Sequence, residues 1–170
     1  MRVFFTTMHD LESLNGEEFM SILATNTAAP LLLTKAFYPL LKKSAQANAP
    51  HDDGLSVQRA AVINISSCAG SIALSGEDKY RPAFGYRESK AALGMSTQTL
   101  AKLLRQDGIL VEAVHPGTVV TDMAGANGSI DTRTSVTGML DVILRLSEKN
   151  KMDSMTGRGT YYRFNLSTHD

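Results

Sequence analysis

Residues 60–67 read Ala-Ala-Val-Ile-Asn-Ile-Ser-Ser, an apolar run whose large residues sit at consecutive rather than alternate positions. A strand with one wet face alternates apolar and polar side chains. A run of this kind needs cover on both faces, which is the condition inside a parallel sheet with helices on either side. Parallel neighbours also require a crossover of a dozen or more residues, usually a helix. The flanks supply it. Asn15 followed by Gly-Glu-Glu is a helix N-cap with acids in the first turn. Residues 17–43 then carry apolar side chains at helical spacing (Phe19, Ile22, Leu23, Leu31, Leu32, Phe37, Leu40) and end on Lys42 and Lys43. Residues 44–58 are polar with Pro and Gly and predict a loop.

After the first strand, residues 68–85 are irregular, residues 86–106 are helical, and Gly108 stops that helix. Residues 109–114 form a second buried strand, ended by His115-Pro116-Gly117. A polar loop follows to 134, then a third helix over 135–146 and a third strand over 159–164. Helix and strand in strict alternation predict an α/β fold with a parallel sheet of three strands and long flanking helices. The 170 residues suit a single domain, 1–170.

Composition narrows the functional classes. Seventeen Lys and Arg balance seventeen Asp and Glu, so the basic surplus of a nucleic-acid binder is missing. No apolar window is long enough to cross a membrane, and the opening apolar run is too short for a secretion signal, so a cytoplasmic protein is expected. Cys68 stands alone, which excludes an intrachain disulfide and a thiolate metal cluster. His115 has no second histidine or carboxylate at ligand spacing, so no metal is expected and a turn histidine is the preferred reading.

The pentapeptide Tyr86-Arg87-Glu88-Ser89-Lys90 carries the chemistry. On a helix, positions i and i+4 share a face, so phenol and ammonium project together. An adjacent ammonium favours phenolate and lowers the tyrosine pKa, and a tyrosine so tuned can pass a proton to a carbonyl oxygen. The same spacing also describes an exposed Tyr–Lys pair on a wet helix face. Ser66 and Ser67 end a strand at the edge where open α/β sheets bind ligands. There a hydroxyl can hold a carbonyl or merely end the strand. Thr121, after the second strand, could bond a ligand's amide. Pro30 has no N–H to give the Asn26 carbonyl four residues back, which bends the helix and leaves that acceptor for water.

Taken in series, Asn64-Ile65-Ser66-Ser67, Tyr86-x-x-x-Lys90 and Pro116-Gly117-x-x-x-Thr121 resemble the short-chain dehydrogenase/reductase family. The strings GYRESKAAL, HPGTVVTDM and TNTAAPLLLTKA are similar to its carbonyl-reductase branch of the sniffer or C-factor type. The resemblance implies a doubly wound Rossmann-type sheet, NADP (or NAD) as cofactor, and hydride transfer to a small carbonyl or from an alcohol. Tyr86 would be the general acid/base. Lys90 would hold the cofactor ribose and depress the Tyr86 pKa. Ser67, rather than Ser66, would orient the carbonyl, and Asn26 would complete the set. Pro116, Gly117 and Thr121 would line the nicotinamide. The long helices at 17–43 and 86–106 would pair two copies into a homo-oligomer.

The family's TGxxxGxG phosphate turn and NNAG segment do not occur, so the chain is expected to represent the C-terminal, catalytic part of a reductase, with strand 60–67 as an exposed edge and weak cofactor affinity. The interval from Ser67 to Tyr86 is long for the family, and its SGEDKYRP stretch is expected over the pocket mouth. Tyr80 there lacks a lysine four residues on. The alternative is an inactive interaction protein that pairs with a full-length relative through the two long helices. A serine hydrolase is remote, because no G-x-S-x-G elbow is present.

Overall fold

The structure is a computed structural model, and it describes residues 8–49, 54–76, 82–124 and 128–147. The expected strand at 159–164 and the stretch 77–81, with Tyr80, lie outside the described residues.

The first helical run is continuous in path but not in pitch. Helix α1 (Gly16–Leu23) begins at Asn15, whose side chain accepts from the Glu18 N–H. It passes into a π turn, Ala24–Ala28, and then into α2 (Ala29–Ala47). The cause is Pro30. Its nitrogen cannot donate to the carbonyl four residues back, and the chain responds by widening: Ala29 N–H reaches Ala24 O, five residues back. Helix α2 extends past Lys43 to Ala47, because Ser44-Ala45-Gln46-Ala47 contains nothing that breaks a helix. Lys42 is therefore not a terminal cation. It bonds Asp107 at 2.8 Å, beside a Tyr38–Asp107 hydrogen bond of 2.6 Å, and so pins α2 to the end of the next helix. The C-terminal end of α2 is capped by Arg59, which donates Nε–H to the Ala45 carbonyl at 2.9 Å.

Strand β1 (Ala61–Ile65) and strand β2 (Leu110–Val114) pair in parallel, Ala61 opposite Leu110 and Ile65 opposite Val114. Between them runs α3 (Tyr86–Leu104), the crossover that parallel pairing demands. A short 3-10 turn, Arg105–Asp107, and Gly108 at φ 74° reverse the chain into β2. Helix α4 (Thr132–Arg145) follows, its N-cap Asp131 accepting from Thr134 N–H. Among the described residues the sheet has two strands, and no helix there is long and apolar enough to cross a membrane.

The apolar core lies at the start of the strands. Ala45, Ala60, Leu104, Ile109 and Val111 are buried together, with Tyr38, Leu41, Val62 and Leu100 packed around them. Further along β1 the contact to α3 becomes polar. Asn64 donates Nδ2–H to Thr97 Oγ1 at 2.9 Å, and Thr97 passes its own proton to the Leu93 carbonyl at 2.8 Å. Asn64 thus has a structural task inside the strand that its neighbours in sequence do not. The substitution Thr97→Val keeps the shape but leaves the buried Asn64 amide without its acceptor. It should cost about 1–3 kcal/mol in urea unfolding, and adding Asn64→Val should restore part of the loss.

Candidate active site

The polar end of the sheet is assembled from three elements. Past β1 the ladder continues one residue, with Ser66 N–H donating to Val114 O at 2.8 Å. Together with Leu110 N–H to Ala60 O at 2.9 Å, this shows that the even-numbered residues of β1 face β2. The Ile65 carbonyl therefore points away from β2, to the open side of the strand. Lys90 meets it there, donating Nζ–H at 2.9 Å. Lys90 is 2% exposed and Tyr86 9% exposed, and the Lys90 Nζ stands 5.7 Å from the centroid of the Tyr86 ring. Phenol and ammonium share one buried face of α3, not a wet one.

The two serines separate. Ser67 is extended, accepts at Oγ from Ala69 N–H, and hydrogen-bonds the Tyr86 phenol. Ser66 is 3% exposed, and its hydroxyl has no partner among the described residues.

Asn26 comes in from the π turn. It is 3% exposed and donates Nδ2–H to Ser89 Oγ at 3.1 Å. Ser89, fully buried, gives its proton to the Tyr86 carbonyl at 2.7 Å, and Thr27 bonds the Ser89 carbonyl at 2.9 Å. The widened turn is thereby locked to the first turn of α3. The pattern reading passed over Ser89 and Thr27. The one available signal was a small hydroxyl residue between Tyr86 and Lys90, on a helix that must lie close to another. Asn26 and Lys90 open onto a groove of about 470 Å³ that also contains Pro30, Phe37 and Ile65.

At the end of β2, His115 is 7% exposed. Pro116 follows, its carbonyl accepting from the buried Ser135 hydroxyl at 2.7 Å, so α4 holds this turn. Gly117 has φ 81°. Thr121 lies exposed on the loop beyond, bonded to the Val119 carbonyl at 3.3 Å. The structure brings Asn26, Ser67, Tyr86 and Lys90 around one helical turn. Pro116 and Gly117 sit at the end of the neighbouring strand, and Thr121 stands further out.

Electrostatics differ from expectation at one point. Burial pushes the Tyr86 phenol above its ordinary value, against a smaller downward pull from the Ser67 hydrogen bond. Lys90 does not lower it here. Its ammonium is directed to the Ile65 carbonyl, and the loss of water outweighs the neighbouring charge. Burial also brings Lys90 down to about 8. His115 is held down by burial first and by the Lys90 charge second, so it is neutral at pH 7. The site at pH 7 therefore offers a protonated phenol beside a cation in low-dielectric surroundings, an arrangement fit to donate a proton.

The family model described as short chain dehydrogenase matches residues 4–131. The chain is 32% identical over 135 residues to the C-signal protein of Myxococcus xanthus, covering 79% of this chain and 72% of that one. The fold superposes on the carbonyl reductase Sniffer of D. melanogaster with a TM-score of 0.75 at 38% identity, over 83% of this chain and 55% of the other. It also superposes on an NADPH-bound carbonyl reductase from chicken fatty liver with a TM-score of 0.78 at 43% identity, over 88% and 55%. The chain spans about half the length of these solved reductases.

The buried Lys90 has a thermodynamic signature. Its folded pKa of about 8 lies below the ordinary 10.5, so the unfolded chain binds the proton more tightly. The cost of burying the ammonium is present in full below pH 8 and is relieved as pH rises from 8 to 10.5. Relative to Lys90→Met, the wild type should gain stability across that window, on the order of 3 kcal/mol in chemical unfolding.

Proposed function

The chain belongs to the short-chain dehydrogenase family, and on that footing we propose that it is the catalytic portion of an NADP-dependent carbonyl reductase, with NAD as the alternative cofactor. The observation that carries the proposal is the buried Tyr86 phenol, hydrogen-bonded to Ser67 with the Lys90 ammonium one turn away. The NADPH-bound relative, 43% identical, supports the choice of cofactor.

The residues present fit the nicotinamide-ribose end of such a cofactor. Lys90 Nζ has three protons, of which one goes to Ile65 O, and the others suit ribose hydroxyls. Pro116, Gly117 and Thr121 would flank the nicotinamide. A bound nicotinamide supplies the hydride; the chain supplies proton, position and field. In the proposed reduction a small carbonyl substrate sets its oxygen between the Ser67 and Tyr86 hydroxyls. Ser67 donates a hydrogen bond and orients the carbonyl. As negative charge gathers on that oxygen, Tyr86 gives up its proton and the alcohol forms. The phenolate left behind is favoured by the Ser67 hydrogen bond, the contact that pulls the Tyr86 phenol down. Asn26, through Ser89, holds the turn of α3 that bears both groups. In the oxidative direction the phenolate takes the proton back.

The assay is reduction of a small vicinal diketone by NADPH. Tyr86→Phe should lower the rate by roughly 10²–10⁴-fold. Equal rates in the two would end the proposal. The wild-type rate should also fall as pH rises through about 8, where Lys90 loses its charge.

A second reading rests on the outer faces of the helices. Phe37 is 55% exposed and Leu40 62% exposed on α2, with Met95 and Leu103 exposed on α3. Apolar residues on both long helices would pair the chain with a second copy or with a longer relative. Phe37→Glu with Leu40→Glu should shift the chain toward monomer in light scattering. An unchanged mass would remove this reading.

A further inference from the structure

Gly70 closes the 3-10 turn Cys68–Gly70 that follows the serine pair, and it is buried. The turn is wired to Ser67. Gly70 N–H donates to Ser67 O at 3.1 Å, and Ala69 N–H donates to Ser67 Oγ at 3.2 Å. On its other side Gly70 lies directly against α3. A Cβ there would stand 2.5 Å from the Lys90 carbonyl carbon, 2.6 Å from Ala91 N and 2.9 Å from Lys90 Cβ. The two shortest approaches are to helix backbone, which cannot rotate away as a side chain can. Carbon atoms pack at about 3.5–4.0 Å, so a methyl group would force turn and helix about 1 Å apart. The displaced turn carries Ser67, and the displaced helix carries Tyr86 and Lys90.

We propose that Gly70 is a positioning residue, whose missing side chain lets the turn seat on α3 and sets the Ser67 hydroxyl within reach of the Tyr86 phenol. The inference rests on the reading of Ser67, Tyr86 and Lys90 as the reacting groups. It adds a residue that touches neither substrate nor cofactor and acts through Ser67. A misplacement of about 1 Å at a reacting centre can cost 10²-fold in rate, so Gly70→Ala should lower kcat on a diketone with NADPH by roughly 10–100-fold.

The test is a cycle of Gly70→Ala, Ser67→Ala and the double variant, with thermal melts of each. If Gly70 acts through Ser67, adding Gly70→Ala to Ser67→Ala produces no further fall in kcat. The second measurement is the ultraviolet titration of Tyr86, taken as the difference from Tyr86→Phe. Because the Ser67 hydrogen bond pulls the phenol down, Gly70→Ala should make Tyr86 ionise at higher pH than wild type, as Ser67→Ala does. Independent, multiplying losses in kcat overturn the proposal, as does an unmoved Tyr86 titration. A Gly70→Ala chain that fails to fold also overturns it, by showing that the contact carries the fold and not the site. If the wild type shows no turnover, the reductase reading fails, and the titration still decides whether Gly70 places Ser67.

Discussion

One half-buried hydrogen bond joins the sheet to the site: Lys90 Nζ to the carbonyl of Ile65. It answers two needs. The open side of β1 leaves a carbonyl facing away from its only described neighbour, and a buried ammonium needs an acceptor to offset its lost hydration. Each is the other's remedy. The bond also locates the site, because Ile65 is the last residue of β1 and Lys90 lies one turn inside α3. Tyr86, one turn earlier, is thereby brought to Ser67. The cost is visible in the lowered pKa of Lys90, a cation held where water would otherwise be preferred. Sites that do acid–base work keep such costs.

The two ends of the sheet are built from different materials. At the start of the strands, the side chains of Ala60, Ile109, Ala45 and Leu104 form an apolar cluster, with the Arg59–Ala45 and Lys42–Asp107 bonds at its rim. At the finish, the packing of helix on helix is specified by hydroxyls and amides: Asn26 to Ser89, Ser89 to Tyr86, Asn64 to Thr97. Apolar contacts tolerate sliding, whereas a buried hydrogen bond loses most of its value when its partner moves. The end that carries Ser67, Tyr86 and Lys90 is the end where buried amides and hydroxyls join helix to helix. The π turn belongs to the same logic. Pro30 prevents regular pitch, and the irregularity is used to aim Asn26 inward.

Much of the framework was legible. The consecutive apolar run at 60–65 pointed to a strand, which is there. It also pointed to cover on both faces, which the described residues do not supply, since Ile65 stands exposed and the strand lines an open groove. The helical spacing from Tyr86 onward, with Gly108 as its stop, matches α3 and the left-handed turn after it. The spacing of Tyr86 and Lys90 correctly implied a shared face. The length of α2 and the partner of Lys42 were misread, because a lysine near a helix end looks the same whether it caps that helix or reaches across to Asp107. Ser89 and Gly70 carried no periodic signal at all. A small residue within a helix or a turn is ordinary by composition, and its meaning depends on what passes within a few ångströms.

Which way an apolar face turns does not follow from neighbours in sequence, since Leu31, Leu32, Phe37 and Leu40 of the first helical run stand exposed. Local order in this chain does follow from them, through side-chain periodicity and backbone sterics. That is why the strands, the helices and the Tyr86–Lys90 face could be read directly. The direction of the Tyr86 pKa could not, since it is the outcome of a contest between desolvation and charge, and only the packed structure states how much water is lost and where the ammonium points. Periodicity does not separate Ser66 from Ser67 either, adjacent and identical in kind; the resemblance alone favoured Ser67. One is turned inward without a partner among the described residues, and the other meets the phenol, because the ladder to Val114 sets the phase of the strand.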